Sequence, residues 1–134
     1  MIDNCPPQPE DKFCWVYMLK CGNGAYYTGF AKDIVRRYWR HLHGVSGAKF
    51  VSAFKPTALA CCWQVYGGRG EGLKLEAFIK KHNRKYKQSL AERPAALASE
   101  AAAMGIAIQT GSVALIEEQV KAYAAKRAAL GKTP

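Results

Sequence analysis

Two aromatic and β-branched runs meet across three small residues near the start of the chain, and no other stretch restricts the fold as much. Phe13 to Cys21 reads Phe-Cys-Trp-Val-Tyr-Met-Leu-Lys-Cys, Gly22-Asn23-Gly24 follows, and the next six residues read Ala-Tyr-Tyr-Thr-Gly-Phe. This is the pattern of a β-hairpin. Strand side chains alternate between faces, so the loop length decides which of them meet. A two-residue loop places Tyr17 and Tyr27 on opposite faces. A three-residue loop, with Gly24 left-handed in a bulged turn, pairs Cys21 with Ala25 and puts both tyrosines on one face. The suitability of Gly24 for that conformation favours the second arrangement.

The period then changes. Ile34, Val35, Tyr38, Trp39 and Leu42 fall on one stripe at helical spacing, and Asp33 occupies the N-cap position. Arg37 and His41 are four apart, so they project from one side of this helix along the border of its apolar stripe. Two phenols, a guanidinium and an imidazole can therefore converge.

Gly44 to Lys49 is a loop by its glycines and polarity. After Pro56, residues 57 to 66 form an apolar run whose length and β-branched and aromatic content suit a central strand. Gly67-Gly68-Arg69-Gly70 ends it, without the spacing or the Lys-Ser/Thr ending of a nucleotide-binding loop. A second helix is expected from near Glu71, burying Leu75, Phe78 and Ile79. Glu76 lies beside that buried side with Lys80 one turn on, an ordinary i,i+4 pair when taken alone. Lys80 to Lys87 is the densest basic run, either a solvated helical face or a track for phosphates with Tyr86 available to stack on a base.

From Arg93 the composition shifts to alanine-rich helix formers behind Pro94. Gly105 to Gly111 breaks that pattern. Ser112 then caps a last helix with Val113, Ile116, Val120 and Tyr123 on its apolar face. This tail is expected to pack on the domain or on a second copy of the chain, which allows a homodimer through these helices.

The fold class these elements imply is α+β: a small three-stranded antiparallel sheet, hairpin plus central strand, flanked by helices and followed by a helical C-terminal extension. Residues 1–12 read as a disordered lead-in, 13–92 as the domain and 93–134 as the extension. A chain of 134 residues makes one domain the default. No apolar run approaches the roughly 20 residues that span a bilayer, and the first residues lack the layout of a signal peptide. Five cysteines without a Cys-x-x-Cys pair argue against a disulfide framework or zinc site. They read as reduced thiols in a cytoplasmic setting. The formal charge is +10, from 20 Lys and Arg against 10 Asp and Glu, and most of the excess lies before Arg93. That favours a polyanionic partner, nucleic acid first.

Trp15-Val16-Tyr17, Tyr27-Thr28-Gly29, Arg37, His41 and Glu76 together resemble the motifs of the GIY-YIG nuclease superfamily, in particular its small single-domain bacterial branch. The likeness covers roughly residues 13 to 90. It departs from the family in the first motif, where Trp15 and Val16 stand for Gly-Ile, and a late asparagine of larger members has no counterpart.

The resemblance implies a divalent-metal-dependent DNA endonuclease hydrolysing phosphodiester bonds, with single-stranded or branched DNA favoured and repair, recombination or DNA uptake as the setting. Tyr17, Tyr27, Arg37, His41 and Glu76 are the implied catalytic residues. Glu76 is the implied ligand of Mg2+ or Mn2+, a hard ion suited to a carboxylate. Either Tyr17 or Tyr27, with Tyr17 preferred, is the implied general base or partner of the attacking water. Arg36, Arg40, Lys49, Lys80, Arg84 and Lys87 are the candidate phosphate contacts. A nucleic-acid-binding module with weak or lost hydrolysis, and an RNA-directed nuclease, are the alternatives.

Overall fold

The computed structural model describes residues 12–43 and 56–131. The lead-in and the Gly44–Lys49 loop, with the candidate phosphate contact Lys49, lie outside the described residues. Strand β1 (Phe13–Cys21) turns into β2 (Tyr26–Ala31) through the three-residue loop. The Cys21 and Ala25 main chains hydrogen-bond at 2.9 Å, and Gly24 holds a φ of 83°, the left-handed conformation that glycine adopts without strain. The register that follows pairs Leu19 with Tyr27 and Tyr17 with Gly29, so Tyr17 and Tyr27 share a face.

Helix α1 (Ile34–Leu42) starts where expected, with the Arg36 amide donating to the Asp33 carboxylate at 3.2 Å. Strand β3 (Pro56–Tyr66) pairs antiparallel with β1 along its whole length. The register skips Ala60, matching Met18 to Cys61 and Leu19 to Leu59. This bulge brings Leu59 and Cys62 onto the same face. Helix α2 runs Arg69–Lys80, two residues earlier than expected, and α3 runs Arg84–Glu92. Asn83 separates them, its side chain accepting from the Tyr86 amide at 2.9 Å. The basic run is thus divided between two helices.

The sheet has four strands, in the order β2-β1-β3-β4, not the three that the pattern suggested. After a 3-10 turn at Pro94–Ala96 and helix α4 (Leu97–Ala103), the segment Ile108–Thr110 forms β4 on the free side of β3. The break between two glycines hides this strand because three residues carry no readable alternation. Pairing satisfies backbone groups that β3 would otherwise leave open.

Two cores sandwich the sheet. Val16, Met18, Trp63 and Val65 pack against Leu75 and Ile79 of α2, Leu90 of α3 and Leu97 of α4. On the other face Tyr17, Leu19, Leu59 and Cys62 pack under Ile34, Tyr38 and Trp39 of α1 and Ile116 and Val120 of the last helix, α5 (Val113–Ala129). Residues beyond Arg93 therefore enter both cores. Among the described residues the four cysteines are buried and unpaired, and no helix is long and apolar enough to cross a membrane.

The α5 contact is polar as well as apolar. The buried Tyr38 hydroxyl donates to Glu117 at 2.8 Å and accepts from the Leu59 amide at 3.1 Å, joining α1, β3 and α5. Arg127 lies 4.2 Å over the Trp39 ring, a cation–π geometry. Replacing Tyr38 with Phe strands the Leu59 amide and the Glu117 carboxylate. We expect a loss of about 1–3 kcal/mol in urea unfolding, with faster amide exchange in α5 ahead of the rest of the fold.

Candidate active site

β2 is an edge strand, and glycine stands at position 29 directly opposite Tyr17. A Cβ built on Gly29 would fall inside the Tyr17 phenol, with Cζ at 2.5 Å and the hydroxyl closer still. The Tyr17 ring thus lies flat across the gap left by the missing side chain. Its hydroxyl reaches the outer border of the sheet. A glycine inside a strand marks such close approach.

Three elements bring their side chains to that border. From α1, His41 Nε2 is 2.9 Å from the Tyr17 hydroxyl, and Arg37 Nη1 donates to the Phe30 carbonyl at 3.4 Å. From β2, Tyr27 meets the His41 ring edge-on at 5.5 Å between centroids. From α2, on the opposite face of the sheet, Lys80 stands 6.0 Å from the Tyr27 ring centre and pairs with Glu76 at 3.2 Å. The Glu76–Lys80 side of α2 therefore reaches past the edge strand. The charges of Tyr27, Arg37 and Glu76 all act on the Tyr17 phenol. The five residues singled out in the sequence lie together.

The electrostatics keep the two central groups neutral. Burial drives the Tyr17 phenol well above the ordinary phenol range; Arg37 pulls the other way and does not prevail. Burial, helped by the Arg37 charge, lowers His41 to about 4. His41 is 2% exposed, and its Nδ1 is buried with no hydrogen-bond partner. The Nε2 contact runs in one of two directions set by the tautomer: a protonated Nε2 donates to the phenol oxygen, and an unprotonated one accepts the phenol proton.

The remaining basic residues divide. Lys87 is half-buried beside Lys80, its pKa lowered by burial and then by the Lys80 charge. The Arg84 guanidinium lies against the hairpin loop at Gly24. Arg36 is exposed on α1 and Arg40 half-buried there. Two contributions escaped the sequence reading. One is the gap at Gly29, signalled only by a glycine within a strand. The other is the Phe30 carbonyl that receives Arg37, a main-chain group with no sequence signal.

Glu76 is the carboxylate that could take a metal ion. Among the described residues no group of three or more His, Cys, Asp or Glu is arranged to hold one. A single, largely shielded carboxylate, with a side chain 15% exposed, fits Mg2+ or Mn2+. Such ions keep several waters and take further oxygens from substrate phosphate.

Two expectations follow. Gly29→Ala must push the Tyr17 ring out of its groove, lowering stability by about 1–3 kcal/mol in urea titration. His41 has a depressed folded pKa, so below its unfolded value the unfolded chain binds the extra proton and stability falls with pH. Between the unfolded value near 6.5 and the folded value near 4, wild type should lose on the order of 3 kcal/mol relative to His41→Gln, read as the difference between their urea midpoints.

With the geometry in place, known proteins add the family. A UPF0213 protein of Fusobacterium nucleatum is 35% identical over 80 residues, covering 60% of this chain and 78% of its own. A UPF0213 protein of Staphylococcus aureus is 38% identical over 76 residues, covering 57% and 90%. The solution NMR structure of the UPF0213 protein BH0048 from Bacillus halodurans is 31% identical, with a TM-score of 0.39 and coverage of 60% of this chain and 83% of that one. The family described as the GIY-YIG catalytic domain matches residues 13–89. That match takes in the hairpin, α1, β3 and the Glu76 helix, and the protein belongs to the GIY-YIG family.

Proposed function

We propose that the protein is a divalent-metal-dependent endonuclease that hydrolyses phosphodiester bonds in single-stranded or structured DNA. The observation that carries this reading is the Tyr17 hydroxyl lying over Gly29 at the sheet border, joined to His41 and within the fields of Arg37 and Glu76.

Phosphodiester hydrolysis needs an activated water, neutralisation of the charge that builds on phosphorus and stabilisation of the leaving oxygen. Arg37 is exposed on α1, and its guanidinium can grip two non-bridging oxygens at once. With its Nε2 protonated, His41 would donate to the Tyr17 oxygen, and Arg37 adds positive charge beside it. Both favour the phenolate that would accept the proton of the attacking water. Burial opposes them, so Tyr17 rests as a phenol and becomes a base only when more positive charge arrives with the substrate. Glu76 would hold a divalent ion, which when bound would supply that charge and make a nearby water more acidic. Lys80 shares Glu76 in the resting protein and is placed to move onto a phosphate. His41, hydrogen-bonded to Tyr17, would position the phenol or relay its proton.

Nicking of single-stranded, duplex and branched DNA and of RNA, with and without Mg2+, tests the reading. Glu76→Ala and Arg37→Ala should each lower the rate by about 10²-fold or more, while both variants keep the urea midpoint of the parent within about 1 kcal/mol. Cleavage indifferent to Mg2+ and to both substitutions would refute the nuclease assignment. Retained nucleic-acid binding alongside no cleavage by the parent would favour a binding module. Preference for RNA would redirect the substrate class.

A further inference from the structure

Helix α2 runs antiparallel to the edge strand it covers. Its last residue, Lys80, stands 6.0 Å from the Tyr27 ring centre, beside the groups of the candidate active site. Its first, Arg69, stands 5.5 Å over the Phe30 ring, at the other end of β2. Phe30 pairs with Val16, so its ring lies on the α2 face of the sheet, packed on the core that includes Cys14. The first turn of α2 is pressed close at this point. A Cβ built on Gly72 would fall 2.5 Å from both Cys14 Sγ and Phe30 Cε1.

Beside that contact lies a cavity of about 80 Å³, with Cys14 and Phe30 in its wall and Lys12, Lys32 and Arg69 at its border. The three cations come from separate stretches of chain, just before β1, just after β2 and at the start of α2, and all are exposed. Two acids stand close to them in sequence. Asp33 is engaged in capping α1. Glu71 folds back on the turn before α2, where a Cβ on Gly67 would meet its Cγ at 3.0 Å. At the Cys14 thiol the charge of Lys32 outweighs that of Glu71, so the local excess is positive. Size then limits the occupant. A water needs about 10–15 Å³ of such space, whereas pockets for whole small molecules start near about 300 Å³. The cavity suits one tetrahedral oxyanion and is too small for a base.

The position of the cavity says where that oxyanion comes from. The Phe30 carbonyl receives Arg37 Nη1, while the Phe30 ring walls the cavity on the α2 face. Tyr27 and Phe30 are three positions apart on β2, roughly 10 Å. A strand laid along this free edge, with its scissile phosphate at Tyr17 and Arg37, therefore brings a neighbouring phosphate to the cavity. We propose that the cavity is a second phosphate site, in which Lys12, Lys32 and Arg69 hold a phosphate of the DNA strand beside the one being cut. The Phe30 ring steadies the Arg69 guanidinium through a cation–π contact. Contacts to phosphate fix register and orientation without reading bases, so the site adds affinity and alignment rather than sequence preference. Its place on the substrate rests on the nuclease reading; the capture of a phosphate group does not.

The test uses the full-length protein in EDTA, so that no strand is cut. Inorganic phosphate should shift the Lys32, Gly68 and Arg69 amide NMR signals saturably, and chloride at equal ionic strength should not. Lys32→Gln and Arg69→Gln, both at exposed positions, should each remove most of that shift. In anisotropy with a labelled oligothymidylate each should weaken binding about 2- to 5-fold and flatten the salt dependence by about 0.7. Lys121→Gln, which removes an exposed cation from α5, should leave the phosphate shift intact and weaken the oligonucleotide less. No phosphate-specific shift, or a shift that survives both substitutions, would overturn the site. Oligothymidylate binding no more sensitive to Lys32→Gln and Arg69→Gln than to Lys121→Gln would overturn its link to the strand and leave a site for free phosphate. Failed cleavage with these binding effects intact would sink only the nuclease reading. Mg2+-dependent cleavage without them would sink only the second phosphate site.

Discussion

The contact between the Tyr17 ring and the bare backbone of Gly29 is the constraint on which the rest of the site depends. A phenol on an interior strand normally stands upright in a core. Here the neighbouring strand offers no side chain, so the ring leans outward and carries its hydroxyl from the middle of the sheet to its rim. The three-residue hairpin loop sets the register that places glycine opposite tyrosine. α1 then has to supply a hydrogen-bond partner at one height above the rim, and His41 does so one helical turn after Arg37. Helix α2, on the far face, contributes only what projects past the rim, which explains why its relevant residue borders the buried stripe.

The same geometry sets the charge state of the resting protein. Tyr17 and His41 are fully enclosed and held neutral, which avoids placing unpaired ions in the core. Arg37 and Lys80 sit further out, where water still screens them, with Glu76 half-buried beside Lys80. Burial and cationic neighbours act on Tyr17 in opposite directions, and burial prevails in the protein alone. This balance makes the phenol responsive to whatever positive charge a ligand brings. A site that were already ionised would bear the penalty of an internal anion at all times.

Much of this arrangement is legible from residue types because it is local. Gly24 signals the loop, Asp33 and Ser112 the starts of two helices, and the four-residue spacing of Arg37 and His41 their common side. The parts that escape are those set by tertiary pairing. β4 is too short to show a period, and its place on β3 depends on the fold bringing Gln109 opposite Gln64. Asn83 sits inside a basic run whose charge obscures its function as a cap. Tyr38 reads as an ordinary core residue, and only its partners on β3 and α5 reveal a polar joint. The carbonyl of Phe30 has no signature at all. Composition shows an excess of positive charge, yet does not say where on the fold its cations fall.

Trp15 stands where the family motif has glycine, and its ring abuts Gly111, where a Cβ would come within 2.8 Å of Cζ3. Gly111 is fixed in turn by its amide, which donates to the Cys62 carbonyl at 2.9 Å. Bulk gained on β1 is thus accommodated by bulk absent just before α5. The nuclease-type domain and its tail are therefore not interchangeable modules: a chimera joining this hairpin to another tail would inherit an indole with no recess to receive it.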